Sequence, residues 1–214
     1  KILHRGTQPE KKIIESLNIA LGILNDTNIP LLARVSIFHY FFEYIHPFYD
    51  GNGRTARFIV SCFLASRFHR LVALRLSVLI KRNRKKYYEL FRETDSEWNC
   101  GDLTPFVLGF TEIISETFDD IFFTLNNKII QLIRYQQRLS ERIQGDELTR
   151  KIYEALLQSS VFFGGGISME GLMKTTGKSR NTIKSRLDSM PPEHVFEFLS
   201  GSSKKIYKLN LAIA

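Results

Sequence analysis

Cysteine is nearly absent: Cys62 and Cys100 are the two in 214 residues, far apart and in no metal-type spacing. That argues against a disulfide framework or a zinc site and suits a reducing cytoplasm. Long apolar runs are missing as well. No stretch approaches the roughly 18–20 residues of a membrane span, and no basic start followed by an apolar segment reads as a signal peptide. A membrane is therefore not an expected partner. The chain starts at Lys1 and not at methionine, so a segment upstream is expected. Acid is in deficit, with 22 Asp and Glu against 30 Lys and Arg, a net charge of +8 that favours anionic partners: nucleotides, nucleic acid or acidic protein surfaces. The remainder, 43% hydrophobic and 24% charged, is ordinary globular composition. The length suits one large domain, or one domain with a small companion.

The few breakers organise the chain. Apolar residues Ile13, Leu17, Ala20, Leu21 and Leu24 form a helical stripe over 10–24. "NDTNIP" then makes a turn, with Pro30 suited to a first helical position. The stretch 31–45 is apolar on almost every side, with Leu32, Val35, His39, Phe42 and His46 near one face, and predicts a buried central helix. Pro47 ends it. After a Gly-rich turn, "TARFIVSCFLASRFHR" resumes a helix with Ile59, Cys62, Phe63 and Ser66 inward. Further helices are predicted over 84–94 and 103–125, the second with Thr104 as its cap before Pro105. The basic run "KRNRKK" at 81–86 reads as the solvated start of the first of these. After Asn126 the character changes to a polar, basic amphipathic helix over 128–144.

The turn itself, "HPFYDGNGRTAR", holds the chemistry. Gly51 and Gly53 permit backbone angles closed to other residues, so amides can converge on an anion at the positive end of the next helix. Arg54 and Arg57, at i and i+3, can grip polyphosphate oxygens with planar donors. Asp50 is a hard oxygen ligand where Mg2+ would bridge phosphate and protein. His46 closes the buried helix with the side chain best suited to taking a proton from a hydroxyl near neutral pH. A histidine at a helix end, an Asp before Gly, or a surface arginine is individually commonplace. Their conjunction within twelve residues points to attack by a hydroxyl on a metal-bound phosphate.

Residues 46–57 resemble the full signature of Fic domain proteins, without departures, and "IPLLARVSIFHYFFEYI" and "GDLTPF" are similar to bacterial members, so that the resemblance covers about 1–125. It implies a mainly α, Fic-type helical bundle with a short flap. It implies His46 as catalytic base, Asp50 as the Mg2+ ligand, Gly51, Asn52 and Gly53 as the anion-binding turn, Arg54 and Arg57 on the nucleotide, and Phe48 as an anchor in the core. The implied reaction is transfer of AMP from ATP to a Ser, Thr or Tyr of a protein target, with self-modification included. Gly53 favours this over phosphorylation, because Doc-type members usually carry lysine there. The best placed flap is "ILHRGT", with Leu3, His4, Arg5, Gly6 and Thr7 facing the target. Family members are often restrained by a helix whose glutamate pairs with the second arginine, here Arg57. The nearest match, from Ser189 to Glu193, is interrupted by Pro191 and Pro192, so such a helix would lie upstream or in another chain and Arg57 should be free.

Toward the C-terminus, "TRKIYEALLQSS", "FFGGG" and "SMEGLMKTTGKSRNTIKSRLDSM" read as helix, break, short helix, a turn at Gly177, a Ser179 cap and a second helix. "VFEFLSGSSKKIYKLNL" reads as two strands around residues 200–203. This resembles a small winged helix-turn-helix (α+β) domain, in which Lys178, Arg180, Lys184 and Arg186, with Lys204 and Lys205 at the wing, could meet DNA phosphates. Such domains also serve in protein docking. The expected organisation is a Fic domain over 1–127, a connecting helix over 128–146 and the winged helix over 147–214. A homodimer stays open. The competing functional reading is a nucleotide-sensing transcriptional regulator or interaction module that uses the Fic fold for binding alone. The intact His46 and Asp50 favour the enzyme, since binding needs no base.

Overall fold

The computed structural model describes residues 6–143, 145–199 and 204–213. Contacts divide the chain into two compact units, Lys1–Phe123 and Thr124–Ala214.

In the first unit, α1 (Glu10–Asn25), α2 (Leu31–Ile45), α3 (Asn52–Arg67), α4 (Arg70–Arg82) and α5 (Arg84–Thr94) are followed by α6 (Thr104–Arg142), whose first half completes the bundle. Helix α1 packs on α2, α2 on α3 and α3 on α4. The core gathers Phe38, Val60, Leu64, Leu76, Phe106, Phe110, Ile113 and Ile114, each at most 1% exposed. Each such side chain contributes about 1.5–3 kcal/mol by leaving water. Helix α2 is central, as its near-uniform hydrophobicity predicts, with Val35, Phe38, His39, Phe42 and Ile45 all buried.

Several local expectations shift. Pro30 is the N-cap of α2 and not its first helical residue. His46 has left the helix and is exposed, so it shares no helical face with the fully buried His39. The buried stripe of α3 is Ala56, Val60, Ser61 and Leu64, while Cys62 and Ser66 face out and Ile59 and Phe63 lie half-buried. The reason is that α3 packs against both α2 and α4, and small residues such as Ala56 take the closest approaches that size-based reading gives to larger ones. At the start of α6 the Thr104 amide donates to Asp102 Oδ1 at 2.8 Å. Asp102 is therefore the capping group, and these bonds from Thr104 hold its carboxyl below the usual range. The break expected after Asn126 is not seen. Helix α6 runs through it for 39 residues, since no Gly or Pro interrupts "TLNNKIIQL".

In the second unit the last turns of α6 precede α7 (Glu147–Phe162), β1 (Ile167–Ser168), α8 (Met169–Thr176), α9 (Arg180–Asp188), β2 (Val195–Leu199) and β3 (Lys205–Leu209). The strands form an antiparallel sheet in the order β1-β3-β2, and α7 packs on α8 and β3. Gly177 turns in the left-handed region, and Ser179 caps α9 by accepting from the Thr182 amide. Apart from β1, the order of helix, two short helices and two strands is the one the sequence predicts. The two-residue strand β1 is too short to carry a sequence pattern.

Candidate functional site

Proline fixes the entry to the site. Pro47 disfavours the right-handed helical region for the residue before it, and His46 exits α2 in the left-handed region at φ 54° and ψ 58°. For a side chain bearing a Cβ that conformation costs about 1–2 kcal/mol. It is held by the His46 amide donating to Phe42 O at 3.1 Å and by a contact of 3.2 Å between Nδ1 and Glu43 O. The imidazole thus emerges at the surface, aimed by its own backbone.

From there the chain closes a braced turn. Asn52 is 2% exposed. Its Oδ1 accepts from the Phe48 amide at 2.9 Å, and its Nδ2 donates to Phe48 O at 2.7 Å. The Asn52 side chain is therefore used up in shaping the turn, which leaves its backbone for an anion. Phe48 touches Phe42 with ring centroids 6.2 Å apart but stays 50% exposed, so it lies against the core and is not embedded in it. The turn sits at the surface, which leaves Phe48 half exposed. Gly51, at φ 83°, is the N-cap of α3, the conformation that calls for glycine. Gly53 is helical, and a Cβ there would crowd the tips of two side chains, Arg57 Nη1 at 3.0 Å and Glu43 Oε1 at 3.2 Å, which would have to give by a few tenths of an ångström.

The charged groups divide. Asp50 Oδ1 accepts from the Gly51 amide at 2.6 Å, and Oδ2 accepts from Arg54 Nη2 at 3.0 Å, with both side chains largely exposed. Arg57 turns inward. It is half-buried and lines a cavity of about 300 Å³ with Ser77, Ile80, Lys81, Arg84, Tyr87 and Tyr88. Burial first, and then the Glu43 charge, push the Tyr87 phenol up, against the opposing effect of Arg57. Tyr87 also meets His39 Nε2 at 2.9 Å.

Lys81, Arg84, Tyr87 and Tyr88 escaped the sequence reading. The basic run looked like a solvated helix start, but the two tyrosines after it were the available signal. Of the flap, Gly6 and Thr7 lie against His46: the Thr7 amide donates to Ile45 O at 2.9 Å. Leu3, His4 and Arg5 lie outside the described residues. In the second unit Lys178, Arg180, Lys184 and Arg186 are exposed. Arg186 is paired with Asp146 at 2.5 Å, Lys204 with Glu170 at 3.2 Å, and Lys205 with Glu197.

The helical bundle thus brings an exposed histidine, a glycine-built turn and two arginines into one short stretch between α2 and α3. Residues 2–64 match the model of the Fic/DOC family. The chain is similar to the protein adenylyltransferase Fic of Drosophila erecta, 31% identical over 126 residues, which is 56% of this chain and 24% of that protein. The Drosophila melanogaster protein of the same name is 32% identical over 108 residues, 49% of this chain and 20% of that one. A probable protein adenylyltransferase of Aquifex aeolicus is 38% identical over 71 residues, 33% of this chain and 20% of that protein. The chain thus spans about a quarter or less of the curated relatives it matches. A crystal structure of a Fic family protein from Desulfovibrio desulfuricans G20 is similar in fold at a TM-score of 0.51 and 24% identity, covering 95% of this chain and 57% of that one.

Proposed function

We propose that this chain is a protein adenylyltransferase, a nucleotidyltransferase that moves AMP from ATP to a hydroxyl of a protein target, its own side chains included. The observation that carries the reading is the strained, exposed His46 beside an anion-cradling turn at the N-terminus of α3. On this reading His46 takes the proton of a Ser, Thr or Tyr hydroxyl as its oxygen bonds to the α-phosphorus. The bond from that phosphorus to the bridging oxygen breaks, and pyrophosphate leaves. The amides of Gly51, Asn52 and Gly53 and the helix end receive phosphate oxygens, and Arg54 swings from Asp50 to hold them. The cavity beside Arg57 offers phenol rings for a base and cations for phosphates.

Among the described residues no group of three or more His, Cys, Asp or Glu is gathered to hold a metal. Asp50, with a side chain 90% exposed beside the turn, nevertheless suits Mg2+, which commonly takes one carboxylate and completes its shell with phosphate and water. When bound there, Mg2+ would neutralise phosphate charge.

The exposed free thiols of Cys62 and Cys100 suit a reducing compartment, and a bacterial cytoplasm is the setting we propose. Among the described residues no helix is long and apolar enough to cross a membrane. DNA at α9, a second copy of the chain, and a restraining helix upstream or in trans remain partners of this proposal.

The test is His46→Ala. Transfer should fall about 100-fold or more while ATP affinity stays within a few-fold. Equal loss of both would remove the base and favour the nucleotide-sensing binding module.

A further inference from the structure

The segment before α1 makes an approach to the site too close for any residue with a side chain. A Cβ built on Gly6 would stand 2.9 Å from His46 Cβ and 3.1 Å from both His46 O and Ile45 O. Contacts between Cβ atoms this short essentially do not occur, and none of the three opposing atoms is the yielding tip of a long side chain. Backbone would have to move. The same strand of chain is fastened in place one residue later, where the Thr7 amide donates to Ile45 O at 2.9 Å. That carbonyl belongs to the last residue of α2, directly before the left-handed His46. Gly6 and Thr7 therefore brace, from outside the helix, the backbone whose unusual φ aims the imidazole.

We propose that Gly6 is a positioning residue for His46: its missing side chain lets residues 6–7 clamp the left-handed exit of α2 and so fix where the imidazole points. The inference rests on the proposed role of His46 as base. The turn that would hold the nucleotide is built separately, from Asn52 on Phe48 and Asp50 on Gly51. Pressure at Gly6 thus reaches the proton acceptor and not the phosphate cradle. Errors of about 1 Å in placing a reacting group cost on the order of 100-fold in rate.

The experiment compares Gly6→Ala with the parent chain by kcat, KM for ATP, ATP affinity and the imidazole resonances of His46 assigned by His46→Gln. Gly6→Ala should lose about 10-fold or more in kcat, keep KM and ATP affinity within about 3-fold, and shift the His46 resonances. Thr7→Pro, which removes the amide bond to Ile45 O and sets a ring carbon against that carbonyl, should displace the clamp, shift the same resonances and lower kcat. Should Gly6→Ala fail to fold, Thr7→Pro carries the test alone. Unmoved His46 resonances with unchanged kcat, or kcat and ATP affinity falling together, overturn the proposal. Undiminished transfer by His46→Ala would instead overturn the base reading, and the resonances would then decide the role of Gly6 by themselves.

Discussion

Residue 39 is a histidine with none of its surface exposed, stacked on Phe110 at 4.5 Å and bonded through Nε2 to the Tyr87 hydroxyl. Burial, and secondarily the charge of Arg57, bring its pKa down from 6.5 to about 3. In the folded chain it therefore stays neutral where the unfolded chain takes a proton. Stability is unaffected by His39 above the unfolded value of 6.5 and declines as pH falls from there toward the folded value of about 3, by up to about 1.4 kcal/mol per pH unit. Denaturant unfolding of the parent chain and of His39→Gln between about pH 7 and about pH 4 should diverge, with the parent losing stability faster. Parallel curves would mean that His39 is protonated in the fold. The sequence reads this residue correctly as facing the core, because most positions of its helix are apolar. The hydroxyl that meets it lies 48 positions away, beyond any local pattern.

At the scale of the element, the turn between α2 and α3 depends on Asn52 more than on its charged residues. Two hydrogen bonds to Phe48 are made from a side chain 2% exposed. Asn52→Ala should cost about 1–3 kcal/mol in stability, since the Phe48 amide and carbonyl lose their partners, and should weaken ATP binding by opening the turn. Arg54→Ala, at an exposed ion pair, should weaken ATP binding with little change in thermal midpoint. A stable Asn52→Ala that binds ATP normally would contradict this division. The turn was legible because its motif is contiguous: a helix end, a proline and two glycines name it. The inward course of Arg57 was not, because the cavity it lines is built with residues of α4 and α5, farther along the chain. The face of α3 was misread for a related reason, since a helix packed on two sides gives no single hydrophobic stripe. The C-terminal helices were plain from Gly177 and the Ser179 cap, which punctuate the chain at fixed offsets.

Across the whole molecule, a charge of +8 is spread over two units with separate cores. The proposed DNA contact is narrower than the sequence suggests, because Arg186, Lys204 and Lys205 already face carboxylates. If duplex DNA binds at α9, Arg180→Ala and Lys184→Ala should each lower the slope of log affinity against log salt by about one, and Arg186→Ala by less. Equal effects from all three would mean that the Asp146 pair opens on binding, and no binding at low salt would leave this unit to protein docking. The central claim is the reaction. The chain, with Mg2+, is given ATP labelled at either the α- or the γ-phosphate, and label retained on protein is measured after denaturation and washing. AMP transfer predicts that the α label stays on the protein, that the γ label leaves with pyrophosphate, and that His46→Ala retains neither. A γ label kept on the protein, or no label kept from either, would contradict it.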